Sequence, residues 1–288
     1  MLLPGPGAAR AAAPFDCTDQ AVVPARNGVP QPAGNIAALS GPSQSSRALG
    51  MTRAHILNGT FAPGEKVSEL KLCDLLGLSR TPIRAALRQL EFEGLLMQRD
   101  DGGFVVRAFS VADVEDLVET RATLEGLAAH RALLRGVSAE QLVQARELLM
   151  CLDAILSRPQ LDACAVQAYA ERNRAFHMLL GEMSGSEVIR RQLRQLTSSP
   201  FGDPSAFVHA RARMPAAHLA FLTAQEQHRQ FVEALASRDT RRAEAVLTEH
   251  ARSGRRALSH AVDTRRTDLL LGGGLIVRPT LAPRLPDA

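Results

Sequence analysis

Between residues 110 and 262 apolar side chains recur three and four positions apart, broken by cap and turn signals, and no alternating run of the kind a half-buried strand requires is present. This stretch is more than half of the 288 residues. It commits the chain to a mainly α fold, with six or seven helices packed as a bundle. Ser110 with Asp113 reads as a capping box, Ser138 caps the next helix, and Ser186 after Gly185 caps another. The pieces around Pro200, Pro204 and Pro215 are the least regular.

The remainder divides by composition. Residues 1–44 are rich in Ala, Gly, Pro and Ser without apolar periodicity and read as a disordered extension, as do residues 264–288, with GGG and several prolines. Residues 45–108 follow a different plan. A first helix ends at NGTFAPGE, two short helical patterns follow, capped by Ser68 and Ser79, and after Gly94 two short apolar runs flank Asp101-Gly102-Gly103, a hairpin signal.

Composition excludes several classes. No apolar run reaches the roughly 18 residues of a membrane span, and the first residues lack the basic lead and continuous apolar core of a secretory signal. The four cysteines are scattered without a CxxC pair, which fits a reduced, cytoplasmic setting and argues against a thiolate metal site. A formal charge of +4 permits nucleic-acid binding without requiring it.

The placement of charge is more informative. Helix, turn, helix and hairpin is the order of a winged helix-turn-helix. In the two-helix unit Leu70, Leu75 and Leu76 are expected to supply apolar contacts, Gly77 the tight turn and Ser79 the second cap, with Pro82 in the first helical turn where a missing N–H costs nothing. Arg80, Arg84 and Arg88 repeat every four residues opposite Ile83, Leu87 and Leu90, and residues 79–90 contain three arginines and no acid. Such a helix can enter a major groove, with Arg meeting guanine edges or phosphates and Ser and Thr meeting phosphates.

The segment APGEKVSELKLCDLLGLSRTPIRAALRQLEFEGLL resembles the amino-terminal domain of the GntR family of bacterial transcriptional regulators. The resemblance implies that Ser79, Arg80, Thr81 and Arg84 contact double-stranded operator DNA, and that a wing at Gly102 and Gly103 meets the minor groove. Three positions depart from the family pattern: Ala85 replaces a common Glu, Asp100-Asp101 place acid near the wing, and Leu70 stands where some members carry Arg.

Within the helical block, Val114, Leu117, Leu124 and Ala128 form an apolar stripe with Arg121 in its middle. A charge on a core face is costly unless paired, so Arg121 either snorkels to the surface or awaits an anion. His177 follows Asn173 by four and shares its helical face. His228 and His250 lie at equal distance from Asp239, which caps a helix after the break ASRDT. In an antiparallel pair each stands about 16 Å from the hairpin tip, at ~1.5 Å per residue, so the two become neighbours. The other histidines lack such pairing, and His218 is the substitute ligand among them.

ETRATLEGLAAHRA, NRAFHMLLGEMSG, EQHRQFVEAL and EHARSG, in that order, resemble the FCD effector-binding domain of the FadR branch of the same family, over residues 110–262. The resemblance implies a divalent metal, zinc with nickel or manganese as alternatives, held by Asn173, His177, His228 and His250, and a carboxylate effector bound by Arg121. Asn173 stands in place of the commoner Asp, so the protein ligands bring no charge to the ion, which favours an anionic ligand.

The expected function is that of a homodimeric, metabolite-responsive DNA-binding regulator controlled by a small carboxylate. Two other readings stay open: a regulator whose helical domain is a metal-free dimerisation or acyl-group sensor, and a metal-dependent enzyme. No carboxylate is visibly placed as a general base, and the DNA-binding block has no purpose in an enzyme.

Overall fold

The computed structural model describes residues 43–100 and 102–277. The expected extension therefore lies almost wholly outside the described residues, as do the last eleven residues of the expected tail.

The amino-terminal part holds α1 (Gln44–Leu57), α2 (Glu69–Leu76), α3 (Arg80–Phe92) and strands β1 (Lys66–Val67), β2 (Leu96–Gln98) and β3 (Phe104–Val106). The strands form one antiparallel sheet in the order β1-β3-β2, with Lys66 opposite Val105 and Met97 opposite Val105 on the other side. The hairpin β2–β3 matches the expectation; β1, two residues long, carries too little pattern to be seen in sequence. Ser68 caps α2 by accepting from Lys71 N–H, and Gly77 closes it with φ 63°.

One detail differs from expectation. Leu70 and Leu75 are 56% and 45% exposed, and α2 is anchored instead by buried Leu72, with Cys73 and Leu76 packed against the core. Positions 72, 73 and 76 form the 3–4 spaced face, which leaves 70 and 75 off it.

Seven α-helices follow: α4 (Val111–Arg135), α5 (Ala139–Leu156), α6 (Ala163–Met183), α7 (Glu187–Ser198), the short α8 (Val208–Arg211), α9 (Ala217–Ala236) and α10 (Thr240–Asp263). Ser110 and Asp113 form a complete capping box, Ser138 and Gln141 a second, and Ser186 and Asp239 cap α7 and α10. α4 packs on α6, α7 and α10, while α5 and α10 both pack on α9. One apolar cluster runs from Ile56, Leu87 and Val106 through Phe109 to Val114 and Val118 of α4 and Leu258 of α10, so the winged part and the bundle share a core.

Residues 264–277 depart from the expected disorder. Two short 3-10 turns, Thr267–Leu269 and Gly273–Leu275, bury Leu270 and Leu275 in that shared core. Phe109 N–H donates to Leu275 O at 2.9 Å and Val277 N–H to Phe109 O at 2.8 Å. Glycine content reflects tight approach here: a Cβ on Gly272 would stand 2.9 Å from a Leu57 methyl carbon.

Candidate functional site

α9 and α10 run antiparallel across the turn Ser237–Asp239, and the equal spacing of His228 and His250 from it places their rings 4.5 Å apart. His177 of α6 completes the group, at 5.5 Å from His228 and 5.3 Å from His250 between ring centroids. One ligand atom from each ring lies within 4.8 Å of the others. His177 and His228 are buried, and their Nε2 atoms have no hydrogen-bond partner among the described residues.

Each Nδ1 is engaged. His177 Nδ1 lies 2.9 Å from Glu125 Oε1, His228 Nδ1 3.2 Å from Gln225 Oε1, and His250 Nδ1 3.2 Å from Gln227 Oε1. An acceptor at Nδ1 fixes the tautomer with a bare Nε2, the form that ligates a metal. Burial, then the charge of His177 and Arg211, holds His228 well below the ordinary histidine value; burial and the neighbouring imidazoles do the same to His250. Two of the three rings are thus held ready as neutral donors. The orphaned buried Nε2 atoms of His177 and His228 and the three gathered imidazoles fit a borderline divalent ion such as zinc.

Glu125 is the residue sequence reasoning missed. It is 3% exposed, and although burial pushes its carboxyl up, the charges of His177 and Arg121 outweigh this and keep it below the usual carboxylate range. The site therefore has a nearby protein carboxylate outside the expected set of Asn173, His177, His228 and His250. Asp203 adds a second, paired with exposed Arg174 and accepting from Ser205 N–H at 2.7 Å; burial raises its pKa, partly offset by Arg174.

Asn173 is 3% exposed on the same face of α6 as His177. Its Nδ2 donates to Pro204 O at 3.2 Å and Ser205 Oγ at 3.4 Å, so the amide ties α6 to the loop before α8 and leaves Oδ1 as its possible ligand atom. Arg121 is 4% exposed and does not snorkel: Nε and Nη1 are buried without a hydrogen-bond partner, and Nε lies 3.9 Å from Glu125 Oε1. An underused buried guanidinium beside the histidines suits an anion. His218 is exposed and outside the cluster, and His130 meets Glu244 at the surface, 3.1 Å away.

On the winged part, Ser79, Arg80, Thr81, Arg84 and Arg88 all lie exposed along α3 while Ile83, Leu87 and Leu90 are buried. Ser79 stands at the N-cap without a side-chain cap bond, which leaves its hydroxyl available. Residues 79–90 themselves carry no acid, but Glu69 of α2 receives Arg84 through two bonds of 2.9 Å, and its carboxyl is held below the usual range by that contact first and by Arg80 and Arg88 beyond it. Gly102 and Gly103 form the wing tip with φ 81° and 86°. Lys66 lies against Gly103, its Cε 3.2 Å from where a Cβ would stand, so β1 delivers a basic group to a tip that reads as acidic in sequence.

Comparison with known proteins agrees with this architecture. The bacterial regulatory proteins of the gntR family match over residues 45–106, and the FCD domain over residues 116–253. The HTH-type transcriptional regulator YdhC of Bacillus subtilis is 32% identical over 141 residues, 49% of this chain and 61% of that protein, so the match spans about three fifths of that relative. An HTH-type regulator from the TAR-I ttuE-ttuC' intergenic region of Agrobacterium vitis is 32% identical over 129 residues, 44% of this chain and 75% of that protein. Escherichia coli McbR/YncC shares the fold, with a TM-score of 0.56, 18% identity, and coverage of 77% of this chain and 99% of that one. Fold and matched domains define a two-part transcriptional regulator, a winged helix-turn-helix joined to a helical FCD domain. The chain belongs to the GntR family of transcriptional regulators and carries an FCD domain. These are families of regulators, not enzymes, and no helix among the described residues is long and apolar enough to cross a membrane.

Proposed function

We propose that the protein binds operator DNA as a homodimer through α3 and the wing, and that a small carboxylate bound at a metal centre in the helical domain controls this binding. Ser79, Arg80, Thr81 and Arg84 are the contacts on α3, and Gly102 and Gly103 bring the wing backbone to the minor groove. The observation that carries the sensor half is the gathering of three histidine ligand atoms within 4.8 Å while every Nδ1 is tied to an acceptor. His177, His228 and His250 hold the ion, zinc by donor type, with Asn173 Oδ1 as the remaining protein ligand.

The bound ion supplies a positive anchor for an anionic oxygen. Arg121 supplies the second anchor, a guanidinium whose Nε and Nη1 have no partner. Glu125 orients His177 and shares the field of Arg121. α4 gives a physical basis for control: it carries Arg121 and Glu125 toward the histidines, and Val114 and Val118 into the core shared with the winged part. A ligand that draws Arg121 toward the ion acts on the helix that supports the DNA reader.

The test is operator binding by metal-loaded full-length protein with and without small carboxylates. A carboxylate-dependent change in affinity that is lost in Arg121→Ala supports the reading. An unchanged response in that variant, or protein that retains no metal yet still responds, supports the metal-free sensor instead.

A further inference from the structure

Residues 264–277 lie beyond both matched stretches, which end at residues 106 and 253, so their role belongs to this chain rather than to either matched domain. They leave the end of α10, turn twice, and return to the covalent junction between the winged part and the bundle. That junction is short, since β3 ends at Val106 and α4 begins at Val111. Residues 107–110 alone would act as a hinge, because a few backbone dihedrals can absorb a rotation between two parts.

The packing opposes such a rotation. In the winged part α1 packs on α2, on α3 and on the turn Gly273–Leu275, and among the described residues no helix of the bundle packs to that extent on α1, α2 or α3. The other turn, Thr267–Leu269, packs on α10. Residues 264–277 therefore form a strap from the bundle to the DNA reader. Gly272 is the point of closest approach. With φ 73°, a Cβ there would stand 2.9 Å from a Leu57 methyl of α1 and 3.5 Å from Pro200 Cβ of the bundle, so glycine lets the strap pass between the two.

The strap also holds the hinge itself. Phe109 N–H donates to Leu275 O at 2.9 Å and Val277 N–H donates to Phe109 O at 2.8 Å, a parallel bridge that uses both polar groups of the Phe109 backbone. The Phe109 ring is fixed in the core, edge on to Phe201 at 5.2 Å. On the outer side a cleft of about 640 Å³ runs between Asn58, His209 and residues 267–274, so the strap has room to lift. A segment held by two backbone bonds and by buried Leu270 and Leu275, with open space beside it, can open without unfolding what it joins.

We propose that residues 264–277 are a latch on the hinge: closed, it fixes the orientation of the winged part on the bundle, and with it the half-site spacing that a dimer accepts. Control of spacing rests on the operator-binding homodimer proposed above, whereas the latch stands on the contacts alone. Two readers held rigidly match one separation along the duplex, and a one-base-pair change turns a half-site by about 35°, at ~10.5 base pairs per turn. Readers freed at the hinge can follow that change.

The experiment compares full-length wild-type protein with Val277→Pro, Gly272→Val and Val277→Ala. Val277→Pro deletes one of the two bonds to Phe109 and leaves Leu270 and Leu275 in place; Ile276, at φ −82° and ψ 114°, already has the backbone that precedes a proline. Gly272→Val forces a branched side chain into a positive-φ site against Leu57. Val277→Ala keeps the N–H and is the control. Hydrogen exchange at residues 107–110 should rise about tenfold in Val277→Pro, the worth of one backbone hydrogen bond, rise further in Gly272→Val, and keep the wild-type rate in Val277→Ala. Random double-stranded DNA selected on wild-type protein supplies the half-sites, which are then offered with the spacer lengthened or shortened by one base pair. Wild-type affinity should fall on the order of tenfold, as for a mismatched base pair, and this discrimination should shrink in Val277→Pro and be lost in Gly272→Val. Unchanged exchange in Val277→Pro overturns the latch, and that variant decides the matter should Gly272→Val fail to fold. Faster exchange with the wild-type spacing preference kept overturns its control of spacing. If wild-type protein enriches no sequence, the operator-binding reading falls, and exchange still decides the latch.

Discussion

Glu125 Oε1 lies 2.9 Å from His177 Nδ1, joining α4 to α6 across the candidate metal centre. The contact does two things. It presents Nε2 of His177 toward His228 and His250, and it places a carboxylate 3.9 Å from Arg121 Nε, on the same helix one turn earlier. A ligand that competes for Arg121 therefore also alters the field at a histidine of the candidate metal centre.

Replacing Glu125 by Gln keeps the size and the acceptor but removes the charge. Mutation of an outer partner of a ligating histidine costs roughly 10–100-fold in metal affinity. Zinc titration into chelator-treated Glu125→Gln protein should show a weakening in that range with the fold intact by circular dichroism. Affinity equal to wild type would mean that the carboxylate only packs.

On α3, Arg84 is held by Glu69 through two 2.9 Å bonds. A phosphate must compete with that carboxylate for the guanidinium. Glu69→Gln should raise DNA affinity and steepen its dependence on log salt concentration by ~0.9, the increment for one further phosphate contact. An unchanged slope would place Arg84 away from the backbone.

The capping box of α4 sets an acid limit. The Ser110 hydroxyl and backbone N–H hold the Asp113 carboxyl below its ordinary value near 3.8. A lowered folded-state pKa contributes stability that is present above the unfolded value and lost as pH falls through the folded one. Wild-type melting temperature should therefore fall below about pH 4, and Asp113→Asn should be less stable near neutrality with a shallower acid decline. Parallel curves would show that the cap contributes no linkage.

Leu275 is 1% exposed in the core shared by the winged part and the bundle. Leu275→Ala should cost about 2–5 kcal/mol in chemical denaturation, the range for a buried leucine. A loss under 1 kcal/mol would show that residues 264–277 lie on the molecule without supporting it.

Much of this was legible in the sequence, for identifiable reasons. The His228–His250 pairing follows from equal distances to a cap residue, because an antiparallel hairpin turns that symmetry into contact. The α3 stripe follows from a four-residue repeat. Glu125 was hidden because it pairs with a residue 52 positions away on another helix, although its i+4 relation to Arg121 on the apolar stripe was a usable signal. Residues 264–277 were misread because their burial comes from short turns rather than a repeating element. Leu70 and Leu75 show the limit of counting apolar residues in an eight-residue helix, where only the facing positions are buried.

The most direct test is calorimetric titration of zinc into chelator-treated full-length protein, alongside His228→Ala and His177→Ala. The account predicts about one zinc per chain, as four-ligand sites of this type bind, with loss of that binding in each variant while helicity is kept. Zinc binding by either variant with wild-type stoichiometry and affinity would contradict it.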